Sequence, residues 1–100
     1  MRDLHPQDGG RVLLERDALD AGTVRYRVTL YVPEQDWRGR AEIAAGSGEV
    51  SFAPWEGEGD PPDWLVKAAY AFLRSLWNAR RNDPTAPPWP RRLLRWRAAP

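Results

Sequence analysis

The most regular alternation of apolar and polar positions runs over residues 24–32, where Val24, Tyr26, Val28, Leu30 and Val32 share one side and Arg25, Arg27, Thr29 and Tyr31 the other. A period of two is the signature of a half-buried strand. Beyond Pro33, Glu34, Gln35 and Asp36 the alternation resumes, with Trp37, Gly39, Ala41 and Ile43 against Arg38, Arg40 and Glu42. The pattern predicts a hairpin with a four-residue turn. Val32 would pair with Trp37, Leu30 with Gly39, Val28 with Ala41 and Tyr26 with Ile43, and Arg27 would face Glu42 on the other side. Ile43 must share a face with Val50 and Phe52, so the next loop holds an even number of residues. A two-residue Gly46-Ser47 turn meets that condition and makes residues 49–53 a fourth strand. A short first strand is expected over 11–15, its inward face left open because Val12 and Leu14 lie on one side and Leu13 on the other.

The period changes to 3.6 at DWLVKAAYAFLRSLW, residues 63–77. Asp60, Pro61, Pro62 and Asp63 suit a helix start, the prolines by their fixed φ and the aspartates by satisfying free amides and the positive dipole end. Arg80 and Arg81, Asn82 as a left-handed terminator, and Pro84 set the end near residue 81. At 100° per residue, Leu65, Ala68, Ala69, Phe72 and Leu76 cluster within about 60° and form the core face. Val66, Tyr70, Leu73 and Trp77 form a second stripe, so the apolar arc is about 200°, more than one sheet covers. After a proline-bearing loop over 82–88, the segment RRLLRWR reads as an edge strand or an extended arm. Trp89 and Trp96 are the nearest available cover for the second stripe, with their neighbouring arginines reaching outward.

The expected architecture is α+β: a four-stranded antiparallel meander with one long helix across a face and a C-terminal arm, residues 82–100, against the helix flank. Residues 1–10 form a loose lead-in, 11–81 the ββββα core, and 1–100 a single domain. The order ββββα resembles the repeat unit of the PUR-α and Whirly class of single-strand binders. The resemblance is one of element order, and what it implies is architecture, because fold analogy does not carry function.

Composition narrows the function classes. The chain has no cysteine, which excludes disulfides, thiolate chemistry and Cys-based zinc sites, and no apolar run approaches the roughly 18 residues a membrane span needs. MRDLHPQDGG does not read as a signal peptide, so a cytoplasmic protein is the expectation. The net charge of +1 hides a division. Residues 1–63 carry seven arginines against thirteen carboxylates, and residues 64–100 carry eight basic residues against one aspartate. Such asymmetry marks an anion-binding end or two halves that neutralise each other on packing. Fourteen arginines to one lysine, with abundant Ala, Gly and Pro, also fits a GC-rich bacterial coding bias.

No catalytic constellation is visible. Ser47, Ser51 and Ser75 sit in no nucleophile motif, and the glycines lie in hairpins rather than opening a helix, so neither a phosphate loop nor a dinucleotide fingerprint is present. His5 is the only histidine and reads as an inert tail residue. Glu56, Glu58 and Asp60 lack a calcium-loop pattern and read as a solvated linker. No enzyme, cofactor or metal site is expected.

Two surfaces carry the functional expectation. The first is the helix flank with the arm: Val66, Tyr70, Leu73, Trp77, Trp89 and Trp96 would bind a protein partner or a second copy as a homodimer, making the chain a non-enzymatic interaction module. The alternative is a single-stranded nucleic-acid surface on the sheet face opposite the helix. There Arg25, Arg27, Tyr31, Arg38 and Arg40 would gather, with Arg91, Arg92, Arg95 and Arg97 of the arm adding phosphate contacts. Against it stands a plain solvent face in which Glu42 and Glu49 neutralise the arginines.

Overall fold

The alternating run becomes β2 (Thr23–Val32) and its partner β3 (Gln35–Ala44), flanked by β1 (Gly10–Leu19) and β4 (Val50–Phe52); helix α1 (Asp63–Asn82) and β5 (Arg92–Arg97) complete the chain. These elements come from a computed structural model that describes residues 4–20, 22–83, 85 and 89–100. The four-stranded antiparallel meander and the helix across one face are as the patterning predicts. The sheet has a fifth strand, in the order β4-β3-β2-β1-β5. The arm is therefore an edge strand beside β1 that also meets the helix, with Trp89 in the core and the Arg97 guanidinium beside the Phe72 ring.

The β2–β3 register departs from the expected one by two residues. Val32 pairs with Gln35, Leu30 with Trp37, Val28 with Gly39, Tyr26 with Ala41 and Val24 with Ile43. Two residues, Pro33 and Glu34, make the turn, both with negative φ as in a type I turn, where proline suits the first central position. A slip of two leaves every side chain on its expected face, so alternation alone does not exclude it. The β3–β4 loop likewise keeps its even parity but is longer. Ile43 pairs with Val50 and Ala41 with Phe52, while the Ala44–Glu49 backbone bond closes a four-residue loop over 45–48.

The first strand is twice its expected length, with an irregularity between Arg16 and Ala18. Its inward face is the Val12–Leu14 side: both pack with Val24, Tyr26, Val28, Leu30, Ala41 and Ile43 against Leu65, Ala68, Ala69, Leu73 and Trp77 of α1. The helix ends differ from expectation in chemistry more than in position. No side chain caps the N-terminus; Pro62 O accepts the Leu65 and Val66 amides, and Asp63 contributes charge and an ion pair to Lys67. The C-cap is Asp83 in an extended conformation, not a left-handed Asn82. The expected stop at Pro84, and most of the proline-bearing loop, lie outside the described residues.

The second helix stripe is covered from within the fold. Trp77 is 8% exposed; its Nε1 donates to Ala45 O at 2.9 Å, and the Arg74 and Arg81 guanidiniums lie 4.8 and 5.2 Å from its ring centroid. The 45–48 loop closes on it: a Cβ at Gly48, whose φ is +75°, would fall 2.4 Å from the indole, so only glycine fits there. Trp89 reaches the core, and the chain after it is pinned to the sheet. Arg16 Nη1 donates to Trp89 O at 2.7 Å, and the buried Tyr26 hydroxyl donates to Pro90 O at 2.8 Å.

The lead-in is not loose from Leu4 onward. Pro6 is buried, Arg11 Nη1 donates to Leu4 O at 3.3 Å, and Trp96 Nε1 donates to Asp8 O at 2.9 Å. His5, read as inert, packs edge-on against Tyr31, with Nδ1 2.8 Å from Val32 O and Nε2 3.1 Å from Asp36 Oδ2.

Candidate ligand-binding face

Because α1 covers one side of the sheet, the residues of opposite parity form an open face. Strand pairing lines them up in rows. One row reads Glu42, Arg25, Ala18; the next Arg40, Arg27, Glu15, Arg92; the third Arg38, Thr29, Leu13, Leu94; the last Asp36, Tyr31, Arg11, Trp96. A shallow depression of about 450 Å³ lies across the middle rows, lined by Arg27, Arg38, Arg40 and Tyr31 together with Glu15, Glu56, Leu13 and Thr29. Leu13 is 5% exposed although it belongs to the face away from the helix. Its neighbours therefore fold over it, and little of its side chain is open to a ligand.

The two-residue register shift decides the electrostatics. Arg25, not Arg27, faces Glu42, and its Nε lies 3.2 Å from Glu42 Oε1, with Asp20 Oδ2 3.6 Å from its Nη1. Arg25 is thereby neutralised and drops out of the candidate surface. Arg27 instead stands between Arg40 on β3, a like-charged cross-strand pair that costs stability, and Glu15 on β1, an opposite-charged one that offsets part of it. Among the described residues Arg27, Arg38, Arg40 and Arg92 make no ion pair within 4.0 Å. The backbone of Glu56 bridges Arg38, and Glu15 lies between Arg27 and Arg92, so carboxylates border the patch without closing on its guanidiniums.

Tyr31 is the aromatic at this site. Partial burial pushes its hydroxyl above the ordinary range, Asp36 and Glu15 push it further, and Arg38 and Arg92 oppose them. The phenol thus stays neutral and able to donate a hydrogen bond at neutral pH. Trp96, 51% exposed, adds a second ring on the same row, beyond Arg11.

The structure brings together Arg27, Tyr31, Arg38, Arg40 and Arg92 from the expected surface, and separates the other arm residues from it. Arg95 and Arg97 have the opposite parity; Arg97 lies on the helix side, 4.9 Å from the Phe72 ring centroid. Arg91 shares that parity and its carbonyl bonds to Arg16 N. Of the expected partner surface, Leu73, Trp77 and Trp89 are buried and Val66 half-buried. Tyr70, at 46%, and Trp96 remain exposed, on different faces of the molecule. Leu13, Glu15 and Thr29 were not anticipated as site residues. Their signal is the parity of β1, which becomes readable once Val12 and Leu14 are known to face inward.

The acidic linker is tied to β3 through its backbone. Glu56 N and O bond to Arg38, and Glu58 O accepts from Trp37 Nε1 at 3.0 Å and from Gln35 Nε2. Among the described residues no group of three or more His, Asp or Glu is placed to hold a metal ion, and no helix is long and apolar enough to cross a membrane.

Fold and site together define an antiparallel α+β domain with one sheet face sealed by a helix and the other open, basic and aromatic. Compared with protein-family models, curated proteins and solved structures, the chain matches none.

Proposed function

We propose that the chain is a non-enzymatic binding module that takes single-stranded nucleic acid on the open face of its sheet. The carrying observation is the directly opposed Arg27–Arg40 pair, whose guanidiniums, like that of neighbouring Arg38, make no ion pair within 4.0 Å among the described residues although Glu15 stands opposite Arg27 on β1. Guanidinium forks match phosphate oxygens, and the half-buried Tyr31 ring suits a stacked base. Single strands fit better than a duplex because the face is shallow and its rings are reached only by unstacked bases.

Self-association through the helix flank has less to support it. Its motive was uncovered apolar area, yet Leu73 and Trp77 are sealed by the fold itself and Tyr70 alone offers a large exposed ring there. Light scattering at micromolar concentration is expected to give a monomer.

Anisotropy of a labelled mixed-sequence oligonucleotide tests the proposal. If four arginines meet phosphates, the log–log salt slope is about −3, and affinity falls on the order of 50-fold between about 50 and 200 mM salt. Arg27→Glu and Arg38→Glu should each abolish most of the binding, while Arg25→Gln, at the neutralised position, should leave it nearly intact. No retained oligonucleotide at low salt would refute the reading.

A further inference from the structure

The arginines that the open face leaves out sit along an unpaired strand edge. Among the described residues β5 bonds to β1 on one side only, and it is the last strand of the sheet. Arg16 N donates to Arg91 O at 2.8 Å, which fixes the phase of the ladder. In an antiparallel pair, alternate residues turn their N–H and C=O toward the partner, so Leu93, Arg95 and Arg97 bond to β1 while Arg92, Leu94 and Trp96 turn theirs outward. The hydrogen bond from Arg95 Nη1 to Leu94 O, 3.1 Å, agrees with this phase, since it covers an outward carbonyl with the strand's own side chain.

We propose that this edge accepts an extended acidic peptide segment as a sixth strand. Its outward amides and carbonyls supply the main-chain bonds of strand addition, and its side chains select by charge. Arg92, Arg95 and Arg97 put three positive charges into six residues, and none has an ion pair within 4.0 Å among the described residues. A second copy pairing here would set arginine beside arginine, which disfavours self-association and favours a partner of opposite charge. On the helix side the C-terminal end of the edge meets a mostly apolar groove of about 290 Å³, formed by Trp64, Lys67, Ala68 and Ala71 of α1 with Arg97 and Ala98. The end of an added strand would lay its helix-side residue into this groove, so acidic residues alternating with aliphatic ones are the preferred pattern. At the opposite edge β4 has only three residues and offers no comparable length.

Titrating the ¹⁵N-labelled protein with an alternating Glu-Val peptide tests the assignment by amide shifts and hydrogen exchange. Exchange should slow at Leu94 and Trp96 and stay unchanged at Leu93 and Arg95, which are already bonded to β1. A Lys-Val peptide should not bind. Leu94→Pro removes an outward donor that the β1 ladder does not use, so the fold is retained and peptide affinity falls about tenfold. A Glu-Val peptide N-methylated at alternate residues should lose binding in the same way, and it needs no change in the protein. Any of four results overturns the proposal: equal binding of the Lys-Val and Glu-Val peptides; undiminished binding of the N-methylated peptide; protection of Leu94 and Trp96 without peptide, which would assign the edge to a second copy; or their protection by an oligonucleotide alone, which would make it part of a nucleic-acid path. The open-face reading is untouched by each of the first three, since Arg27 and Arg40 take no part in them.

Discussion

Arg27 on β2 and Arg40 on β3 stand directly opposite each other on the open sheet face, two pairs along the ladder from the ion-paired Arg25 and Glu42. The two pairs share backbone geometry and differ in charge, so the local electrostatics of the face is a matter of register. A neutral ladder would have cost the fold nothing. The like-charged pair opposes folding slightly and concentrates positive potential where the depression lies.

Arg40→Glu follows from that relationship. It converts the like-charged pair into an opposite one, so the melting temperature should rise slightly while oligonucleotide affinity falls. Thermal denaturation and anisotropy on the same preparation check it. A loss of both stability and binding would point to a structural role for Arg40 instead.

Truncation after Pro88 removes β5, the buried Trp89, and the carbonyls that receive Arg16 and Tyr26. Loss of a core aromatic costs about 3 to 5 kcal/mol, a large part of what a domain this size has available. The shortened chain should aggregate or melt far lower, by circular dichroism. An unchanged melting temperature would mean that β5 adds nothing to the sheet.

Tyr26 gives the protein a defined alkaline limit. Its hydroxyl is fully buried, and that burial pushes its pKa from the ordinary 10.0 up to about 12, with Arg16 opposing. The folded state therefore holds the proton more tightly than the unfolded chain. The stabilisation is fully present below pH 10 and is lost as pH rises through 12, a change on the order of 2 to 3 kcal/mol. Tyr26→Phe should flatten this part of the pH–stability curve and, by losing the bond to Pro90 O, cost about 1 kcal/mol at neutral pH. Urea midpoints measured between pH 8 and pH 12 would show both effects.

Gly39 and Trp55 form a testable packing pair. A Cβ at Gly39 would fall 2.6 Å from the Trp55 ring, which lies over the strand beside Phe52. Gly39→Ala should cost about 1 to 3 kcal/mol through overpacking. The cost should shrink in a Trp55→Ala background, and a double-mutant cycle by urea denaturation measures the coupling.

Oligonucleotide and peptide should bind independently if the open face and the β5 edge are separate sites. Saturating Glu-Val peptide should change oligonucleotide affinity less than threefold, about 0.6 kcal/mol of coupling. Arg92, which belongs to both, is the residue at which any coupling would arise.

The order ββββα, the helix from Asp63 to the neighbourhood of Arg81, and the faces of residues 24–32 and 37–43 were legible in the chain alone, because periods of 2 and 3.6 are local properties. Arg27, Tyr31, Arg38 and Arg40 were legible as a common surface for that reason. Tertiary structure decided which of them are free. A slip of two residues preserves every face while changing every cross-strand partner, so no pattern of alternation could assign Glu42 to Arg25 and leave Arg27 with Arg40. The arm was equally undecided. Pairing β5 with β1 joins residues some eighty positions apart, and that choice rests on Trp89 reaching the core and on Tyr26 and Arg16 holding the chain at Pro90 and Trp89, contacts that exist only once the sheet has formed.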